Sequence, residues 1–399
     1  MTRSRNLVMG LTFVVVLAAL GVAQFALEQK AGAQAKGNTV QAPRFEVDPM
    51  WPKPLPNHWL LGSTIGVWVD AQDHVWIIHR SSNTLNDNEK GAELNPPIAE
   101  CCKGAPPVLA FDQQGNLVAS WGGPVRGAPY EWPESNHGIF VDGKGNVWIG
   151  GNGGNDGQVL KFTKEGKFIK QKGFGYANAD SNVTWAFRQP AKIFVDDARN
   201  EAYISDGYGN HRVAVLDAET MEFKRYWGAY GNKPDDVNYG RYNPTAAPLQ
   251  QFRNPVHCAD MSKDNMLYVC DRVNDRIQVF TPEGKFIKEQ FYAKNTLAAG
   301  AVWDVAFSKD PQQKYMYIAD GQNEKVYVVE RQSLQLLTSF GDGGRQPGQF
   351  FGVHSIATDS KGNVYTTETY EGKRVQRFLF KGVGSVPATQ GVLWRGSSK

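Results

Sequence analysis

One pattern recurs along this chain and restricts its fold more than any other feature. A β-rich stretch ends near Asp or Ser, a polar turn follows, and an aromatic-led strand comes next, as in HGIFVDGKGNVWIG and HSIATDSKGNVYTT. The pattern occurs six times, starting at Ile65, His137, Ala191, His257, Trp303 and His354. Each copy predicts a β-hairpin, which further short strands such as RIQVFT and GKFIKEQF follow. Six such units are typical of a β-propeller with six blades around a central channel.

The predicted fold class is therefore all-β, a six-bladed β-propeller with four antiparallel strands per blade and repeats that resemble the NHL type. The alternative is a β-sandwich, but a sandwich does not predict matching residues at matching places in six units. The spacing between repeats varies, and we expect the extra residues to form insertions on one face. The formal net charge of +3 gives no field for binding nucleic acid, so no nucleic-acid partner is expected.

The first 35 residues predict a signal peptide or an N-terminal membrane anchor. Arg3 and Arg5 precede an apolar run at 7–27, and small residues follow at 31–35. Both interpretations place the folded part outside the cytoplasm, in the periplasm or the extracellular space, with membrane contact only if the segment stays uncleaved. We expect residues 36–60 to form an extended lead-in, 61–382 the propeller and 383–399 a C-terminal tail.

The four cysteines of an exported chain are free to form disulfide bonds. Cys258 and Cys270 are equally distant from a turn at Asp264, so a hairpin places them opposite each other, at a separation that permits a cross-strand bond. Cys101 and Cys102 are adjacent. For this pair a vicinal disulfide stays as open as the alternative, in which the two are free thiols or bond to separate partners in a surface loop.

Histidine occupies one repeated position in alternate repeats. The first position of the repeat holds His137, His257 and His354 in repeats two, four and six. In a ring of six blades these side chains lie about 120° apart and converge on the axis. Three histidines with an open fourth position are typical of a catalytic zinc site. A core histidine bonded to the backbone is the alternative for any one of them, but not for three in register.

A second position, just after the aromatic strand, carries Arg80, Tyr208 and Arg272. A guanidinium there suits a substrate carboxylate because it binds both oxygens at once. A tyrosine acts as a base when neighbouring cations lower its pKa. Ordinary ion pairs for the arginines and surface packing for Tyr208 remain the alternatives.

From about residue 51 to residue 381 the chain resembles the peptidyl-α-hydroxyglycine α-amidating lyases, which are NHL-type propellers. The matching motifs are IHR at 78–80, NHG at 136–138, SDGY at 205–208, PVH at 255–257, CDR at 270–272 and VHS at 353–355. The resemblance implies that His137, His257 and His354 bind zinc or another divalent transition metal. It also implies that Tyr208 is the catalytic base and that Arg80 and Arg272 hold the substrate.

The resemblance further implies a carbon–nitrogen lyase that converts an N-acyl or peptidyl α-hydroxyglycine into an amide and glyoxylate, or a related carbinolamide into its 2-oxo acid. The expected partner is thus a small molecule or peptide with a carboxylate. Gly209 stands where the family has a cysteine. Ser355 stands where the family has an aspartate that helps to bind calcium, so a structural Ca²⁺ is not expected.

Two other classes of function remain open. One is a non-catalytic NHL propeller that binds a protein or a glycan, and such a scaffold needs no histidine triad. The other is a lactonase-like propeller hydrolase, which would show acidic residues in place of the three histidines.

Overall fold

A computed structural model describes residues 39–394, together with Val16, Leu20, Gly21 and Gln24. The signal or anchor expected at 1–35 lies outside the described residues apart from those isolated positions. No helix within the described part of the chain has the length and apolar character needed to cross a membrane.

Six four-stranded antiparallel sheets form the blades. Strands β1 (Thr39–Asp48) and β2 (Trp59–Leu60) precede the first blade, which contains β3 (Thr64–Val69), β4 (Val75–His79), β6 (Val108–Phe111) and β7 (Leu117–Trp121). Strand β5 (Lys103–Gly104) lies in the loop after β4 and pairs in parallel with β2. Blade 2 consists of β8 (Asn136–Val141), β9 (Asn146–Gly151), β10 (Gln158–Thr163) and β11 (Phe168–Gly173). Blade 3 consists of β12 (Pro190–Asp196), β13 (Glu201–Asp206), β14 (Arg212–Asp217) and β15 (Phe223–Trp227).

Blade 4 consists of β16 (Val256–Met261), β17 (Leu267–Asp271), β18 (Arg276–Phe280) and β19 (Phe286–Phe291). Blade 5 consists of β20 (Asp304–Phe307), β21 (Tyr315–Asp320), β22 (Lys325–Glu330) and β23 (Gln335–Phe340). Blade 6 consists of β24 (Val353–Thr358), β25 (Val364–Glu368), β26 (Arg374–Pro387) and β1. The described residues also form short 3-10 helices at Ser81–Thr84, Ala229–Gly231 and Arg272–Asn274. The predicted all-β propeller with four strands per blade is therefore confirmed.

The repeated aspartate and aromatic residue stabilise the hairpin at the inner edge of a blade. In blade 2, one oxygen of Asp142 accepts from the backbone N–H groups of Lys144 and Asn146, and the other accepts from the indole of Trp148 at 2.9 Å. Asp70 bonds Trp76 in the same way in blade 1. This local hydrogen bonding explains why the same residue types return at the same spacing.

Apolar side chains fill the spaces between neighbouring blades. One buried cluster joins Trp76 and Val108 of blade 1 to Ile139 and Ile149 of blade 2, and a similar cluster lies at each of the other blade junctions. Burial of these side chains is the main interaction that stabilises the contact between blades. It contributes about 25 cal/mol of free energy for each Å² of apolar surface removed from water.

The long connections all lie at one end of the channel. Strand pairs such as β3–β4 and β8–β9 are joined by short turns at one end, whereas the loops at 80–107, 228–255 and 292–303 lie at the other. The innermost strands β3, β8, β12, β16, β20 and β24 begin at the same end as these loops. The predicted insertions therefore surround the channel mouth where the repeated histidines stand.

The ring is closed by pairing between the two ends of the described chain. Strand β1 pairs with β26 from Thr39↔Pro387 to Asp48↔Arg377, with a bulge between Pro43 and Phe45. The segment expected as an extended lead-in thus supplies the outer strand of blade 6, and the boundary expected at 382 falls inside β26. The alternation of Phe45 and Val47, which are 6% and 2% exposed, anchors this strand in the core.

Both cysteine pairs are disulfide-bonded. Cys258 lies directly opposite Cys270 on β16 and β17, with a Cα–Cα distance of 4.8 Å, as the turn spacing predicts. Cys101 is bonded to its neighbour Cys102 in the loop at 80–107.

Replacing Phe45 with alanine tests how strongly the closing strand stabilises the ring. The Phe45 ring packs against Tyr317 and Phe340 at centroid distances of 5.5 and 5.4 Å. We expect Phe45→Ala to lower the free energy of unfolding by about 3–5 kcal/mol, measured by urea denaturation. The control Phe174→Ala removes a ring that is 47% exposed and should change stability far less. Equal losses for the two variants would contradict the proposed role of β1.

Candidate metal centre

Three buried histidines meet on the channel axis. His137, His257 and His354 are each the second residue of an innermost strand, in blades 2, 4 and 6. Their ring centroids are 4.8 to 5.0 Å apart, and their candidate ligand atoms all lie within 4.8 Å of one another. Their exposed fractions are only 2%, 3% and 4%. The geometry is that of a three-histidine metal site with one side left open.

The backbone of the intervening blades orients these rings. His137 Nδ1 lies 2.6 Å from the carbonyl oxygen of Ala191, and His354 Nδ1 lies 2.7 Å from that of Ile65. His257 Nδ1 contacts the carbonyl oxygen of Trp303. A carbonyl only accepts, so each Nδ1 carries the proton and each Nε2 presents its lone pair to the channel.

Burial keeps the three imidazoles neutral. Desolvation lowers the pKa of His137, His257 and His354 well below the ordinary value, and the charges of the nearby arginines lower it further. Neutral imidazole is the form that binds a metal ion. The cluster is thus ready to coordinate a cation at neutral pH.

Tyr208 and Arg272 lie at the open side of the cluster. Tyr208 follows β13, and its Oη is 3.0 Å from His137 Nε2 and 3.1 Å from His257 Nε2. Arg272 begins a 3-10 helix after β17 and donates from Nη1 to Tyr208 Oη at 2.9 Å. Its guanidinium stacks on the ring of Trp303 at 4.5 Å. The buried Nε of Arg272 has no hydrogen-bond partner among the described residues, which leaves a donor for a ligand.

Arg80 approaches the cluster from the first blade, across the channel from Arg272. It donates from Nη2 to Asn152 Oδ1 at 2.9 Å and from Nε to the carbonyl oxygen of Asn136 at 3.3 Å. Burial lowers the pKa of Arg80, while the nearby phenols of Tyr208 and Tyr370 act in the opposite direction. The structure therefore places Arg80, Arg272 and Tyr208 around the same three histidines.

His79, which precedes Arg80, has a structural role. Its Nδ1 accepts from the backbone N–H groups of Gly62 and Ser81, and its Nε2 donates to the carbonyl oxygen of Pro106 at 2.9 Å. Burial lowers the pKa of His79 to about 4. Both ring nitrogens are thus used in holding the loop that carries Arg80.

A buried ion network lies directly below the histidines. Lys192 Nζ is 2.8 Å from Asp260 Oδ2 and 2.5 Å from Asp304 Oδ1. The other Asp304 oxygen accepts from Ser355 Oγ and from the backbone N–H of Ile356. Burial opposes the charge on Lys192, but the two carboxylates prevail and raise its pKa, and burial raises the pKa of Asp260 to about 6. The network connects the innermost strands of blades 3, 4, 5 and 6.

No family model matches the chain. Peptidyl-glycine α-amidating monooxygenase from Mus musculus is 24% identical over 332 residues, which are 79% of this chain and 30% of that protein. The A form from Xenopus laevis is 24% identical over 322 residues, 78% of this chain and 31% of its own length. NHL repeat-containing protein 3 from Homo sapiens is 24% identical over 303 residues, 74% of this chain and 69% of that protein.

The chain is a homologue of the peptidylglycine α-amidating monooxygenases and of an NHL repeat protein. It spans about a third of the length of the amidating relatives. Among solved structures, virginiamycin B lyase from Staphylococcus aureus aligns with a TM-score of 0.47 and 15% identity over 82% of this chain and 86% of that one. A streptogramin B lyase aligns with a TM-score of 0.48 and 12% identity over 86% of this chain and 98% of that one.

Some residues of this NHL-like propeller's site had no signal in the sequence. Trp303 was visible only as one of the six repeat starts, yet its ring supports Arg272 and its carbonyl orients His257. Lys192 and Asp304 stand beside repeat-start positions, but nothing in the sequence pairs a lysine of one blade with an aspartate two blades on. Asn152 lies in a glycine-rich turn that sequence alone does not distinguish from any other.

Replacing Lys192 with methionine tests the network below the histidines. The variant keeps the bulk of the side chain but leaves two buried carboxylates without their cation, so we expect a loss of about 3–5 kcal/mol in the free energy of unfolding. The control Lys224→Met breaks a pair with Glu201 in which Lys224 is 38% exposed, and it should cost less than about 1 kcal/mol. Chemical denaturation of both variants at pH 7.5 makes the comparison, and a Lys192→Met protein as stable as the control contradicts it.

Proposed function

We propose that this chain is a metal-dependent lyase that splits the C–N bond of an N-acyl or peptidyl α-hydroxyglycine, releasing a primary amide and glyoxylate. The observation that carries the proposal is the convergence of three neutral histidines, one phenol and two guanidiniums at one mouth of the channel. The sequence similarity to amidating proteins supports the same chemistry. Related carbinolamides, which yield other 2-oxo acids, belong to the same substrate class.

Zinc is the metal that we propose for His137, His257 and His354. Three imidazoles in a buried site with an open side suit Zn²⁺, and they also suit other divalent transition metals. The backbone hydrogen bonds at each Nδ1 make the opposite nitrogen the better ligand. When bound, the ion would polarise the substrate hydroxyl and favour its loss of a proton.

The arginines are suited to hold the substrate carboxylate. Arg272 has a buried Nε donor left over after its contact with Tyr208, and Arg80 is fixed by Asn136 and Asn152 on the other side of the cluster. A carboxylate bound between them is oriented by charge-assisted hydrogen bonds. This places the adjacent hydroxyl toward the histidines.

Tyr208 is positioned to act as the base. Its oxygen accepts a hydrogen bond from the Arg272 guanidinium at 2.9 Å, so a cation lies directly beside the atom that would take the proton. In the proposed step the phenolate takes the proton of the substrate hydroxyl, the electron pair forms the aldehyde carbonyl, and the C–N bond breaks. Tyr208 then returns the proton to the departing amide nitrogen. The atoms balance without an oxidant or a reductant.

Export is part of the proposal. The chain contains two disulfide bonds, and disulfide bonds persist in oxidising compartments such as the periplasm or the extracellular space. A lyase without a redox step requires no cytoplasmic cofactor, so it is compatible with such a location.

The metal proposal is tested by replacing one ligand. His257→Ala removes one of three imidazoles, so we expect metal content measured by elemental analysis to fall from about one ion per chain to far below that value. The control is His74→Ala, because His74 lies in the turn at the other end of the channel with a side chain that is 37% exposed. Full metal occupancy in His257→Ala would overturn the assignment.

The catalytic proposal is tested by removing one hydroxyl. Tyr208→Phe keeps the ring but removes the proton acceptor, so we expect kcat for glyoxylate release from N-benzoyl-α-hydroxyglycine to fall by roughly 10²–10⁴-fold. The matched control is Tyr176→Phe, a tyrosine that is 77% exposed on the same face. A chelator should abolish wild-type activity and added zinc should restore it. Undiminished turnover in Tyr208→Phe would show that the phenol is not the base.

A further inference from the structure

One tyrosine at the mouth of the channel has no role in the proposed reaction. Tyr370 lies two residues after the end of β25 and is 55% exposed. Its carbonyl and its ring contact neighbouring residues, but its hydroxyl forms no hydrogen bond within the part of the chain that the structure describes. The phenol is therefore available to a ligand.

Tyr370 occupies the position in blade 6 that Tyr208 occupies in blade 3. Tyr208 lies two residues after Asp206, which pairs with the first residue of β12. Tyr370 lies two residues after Glu368, which pairs with the first residue of β24. Both acids are buried and form an ion pair with the arginine six residues on, at 2.8 and 2.6 Å. Because the third and sixth blades of a six-membered ring are opposite each other, the two tyrosines lie on opposite sides of the channel mouth.

Ser63 links Tyr370 to Arg80. The backbone N–H of Arg80 donates to the carbonyl oxygen of Ser63 at 3.0 Å, and Ser63 Oγ donates to the carbonyl oxygen of Tyr370 at 2.8 Å. Burial lowers the pKa of Arg80, and the phenol of Tyr370 is near enough to act against that shift. An arginine and a tyrosine thus lie together on this side of the three histidines, as they do on the side of Arg272.

The Tyr370 ring is also close to the histidines. Its centroid is 6.4 Å from that of Trp303, and the Trp303 ring is 5.4 Å from that of His354. The Arg272 guanidinium contacts the same indole at 4.5 Å. Trp303 therefore joins Tyr370 both to the triad and to the second arginine of the site.

The turn that carries Tyr370 has an unusual backbone conformation. Tyr370 has a φ of +49°, in the left-handed region that bulky residues seldom adopt. The N–H of Thr369 donates to the carbonyl oxygen of Gly352 at 2.9 Å. A Cβ at Gly352 would lie 3.0 Å from Tyr370 Cδ2, so this glycine leaves room for the ring. Such conformations persist where the surrounding structure imposes them, and they are frequent at ligand-binding sites.

We propose that the Tyr370 hydroxyl is a third donor to the substrate carboxylate, beside Arg80 and Arg272, and that it helps the site to select an acid over the corresponding amide. This role rests on the proposed function. A hydroxyl that donates to a carboxylate forms a charge-assisted hydrogen bond. The carboxylate keeps its charge throughout the reaction, so this bond stabilises the bound substrate and the transition state alike.

Steady-state kinetics of Tyr370→Phe test this role. The variant keeps the ring and removes only the donor, so we expect KM for N-benzoyl-α-hydroxyglycine to rise about tenfold while kcat stays nearly unchanged. The matched control is Tyr176→Phe, which should leave both constants unaltered because Tyr176 is 77% exposed on the same face. An unchanged KM, or a fall in kcat as large as that expected for Tyr208→Phe, would overturn the role.

A binding measurement separates failure of this inference from failure of the proposed reaction. N-benzoylglycine keeps the carboxylate but lacks the hydroxyl, and N-benzoylglycinamide also lacks the charge. In calorimetry with the zinc-loaded protein, we expect wild type and Tyr176→Phe to bind the acid at least about tenfold more tightly than the amide. Tyr370→Phe should lose about tenfold in affinity for the acid and almost nothing for the amide.

That result supports the role of Tyr370 even if no carbinolamide is cleaved. Equal affinity of wild type and Tyr370→Phe for the acid, or an equal loss for acid and amide, overturns the role of Tyr370 and leaves the lyase proposal standing if wild type turns over. A wild-type protein that neither prefers the acid nor cleaves the carbinolamide overturns both.

Discussion

The hydrogen bond from each histidine of the triad to the backbone of the next blade is the interaction on which the candidate metal centre depends. The repeat begins at six equivalent positions around the axis, and these alternate between a histidine and a residue whose carbonyl holds the neighbouring histidine. Because Ile65, Ala191 and Trp303 hold the histidines through main-chain carbonyls, this contact places no requirement on their side chains. The arrangement fixes the tautomer of all three imidazoles and requires an even number of blades in closed register. The candidate metal centre is therefore a property of the ring rather than of any one blade.

Because the three histidines come from three different blades, the candidate metal centre can form only when the ring is closed. A small change in the angle between two blades would move one imidazole relative to the other two, and metal binding tolerates little such movement. Closure is secured at the rim by the pairing of β1 with β26, and near the axis by Lys192 between Asp260 and Asp304. Ser355, next to His354, donates to the same Asp304. Lys192 and its two carboxylate partners are buried, so loss of the lysine charge alone would leave unpaired carboxylates close to the three histidines.

The sequence predicted those features that repeat or that are local. The six hairpins, the three histidines in alternate repeats and the Cys258–Cys270 pair all follow from spacing, because a hairpin fixes which residues face each other. The Arg80, Tyr208 and Arg272 positions followed from a second repeated position. The carbonyl partners of the histidines carried no signal, since every residue has a carbonyl. The closing strand was missed because its partner β26 lies more than three hundred residues away and Pro43 interrupts its pattern. The Lys192 network joins side chains from four different blades, and no single-repeat pattern encodes it.

The loop at 292–303 is held against the backbone of Arg272, one of the proposed catalytic groups, and this contact limits how freely the loop can vary. Gly300 has a φ of +75°, and a Cβ at that position would lie 2.0 Å from the carbonyl oxygen of Arg272. The same glycine accepts the indole hydrogen bond of Trp303, on whose ring the Arg272 guanidinium rests. A larger residue at Gly300 would therefore displace the backbone of Arg272 and, with it, the contact to Tyr208.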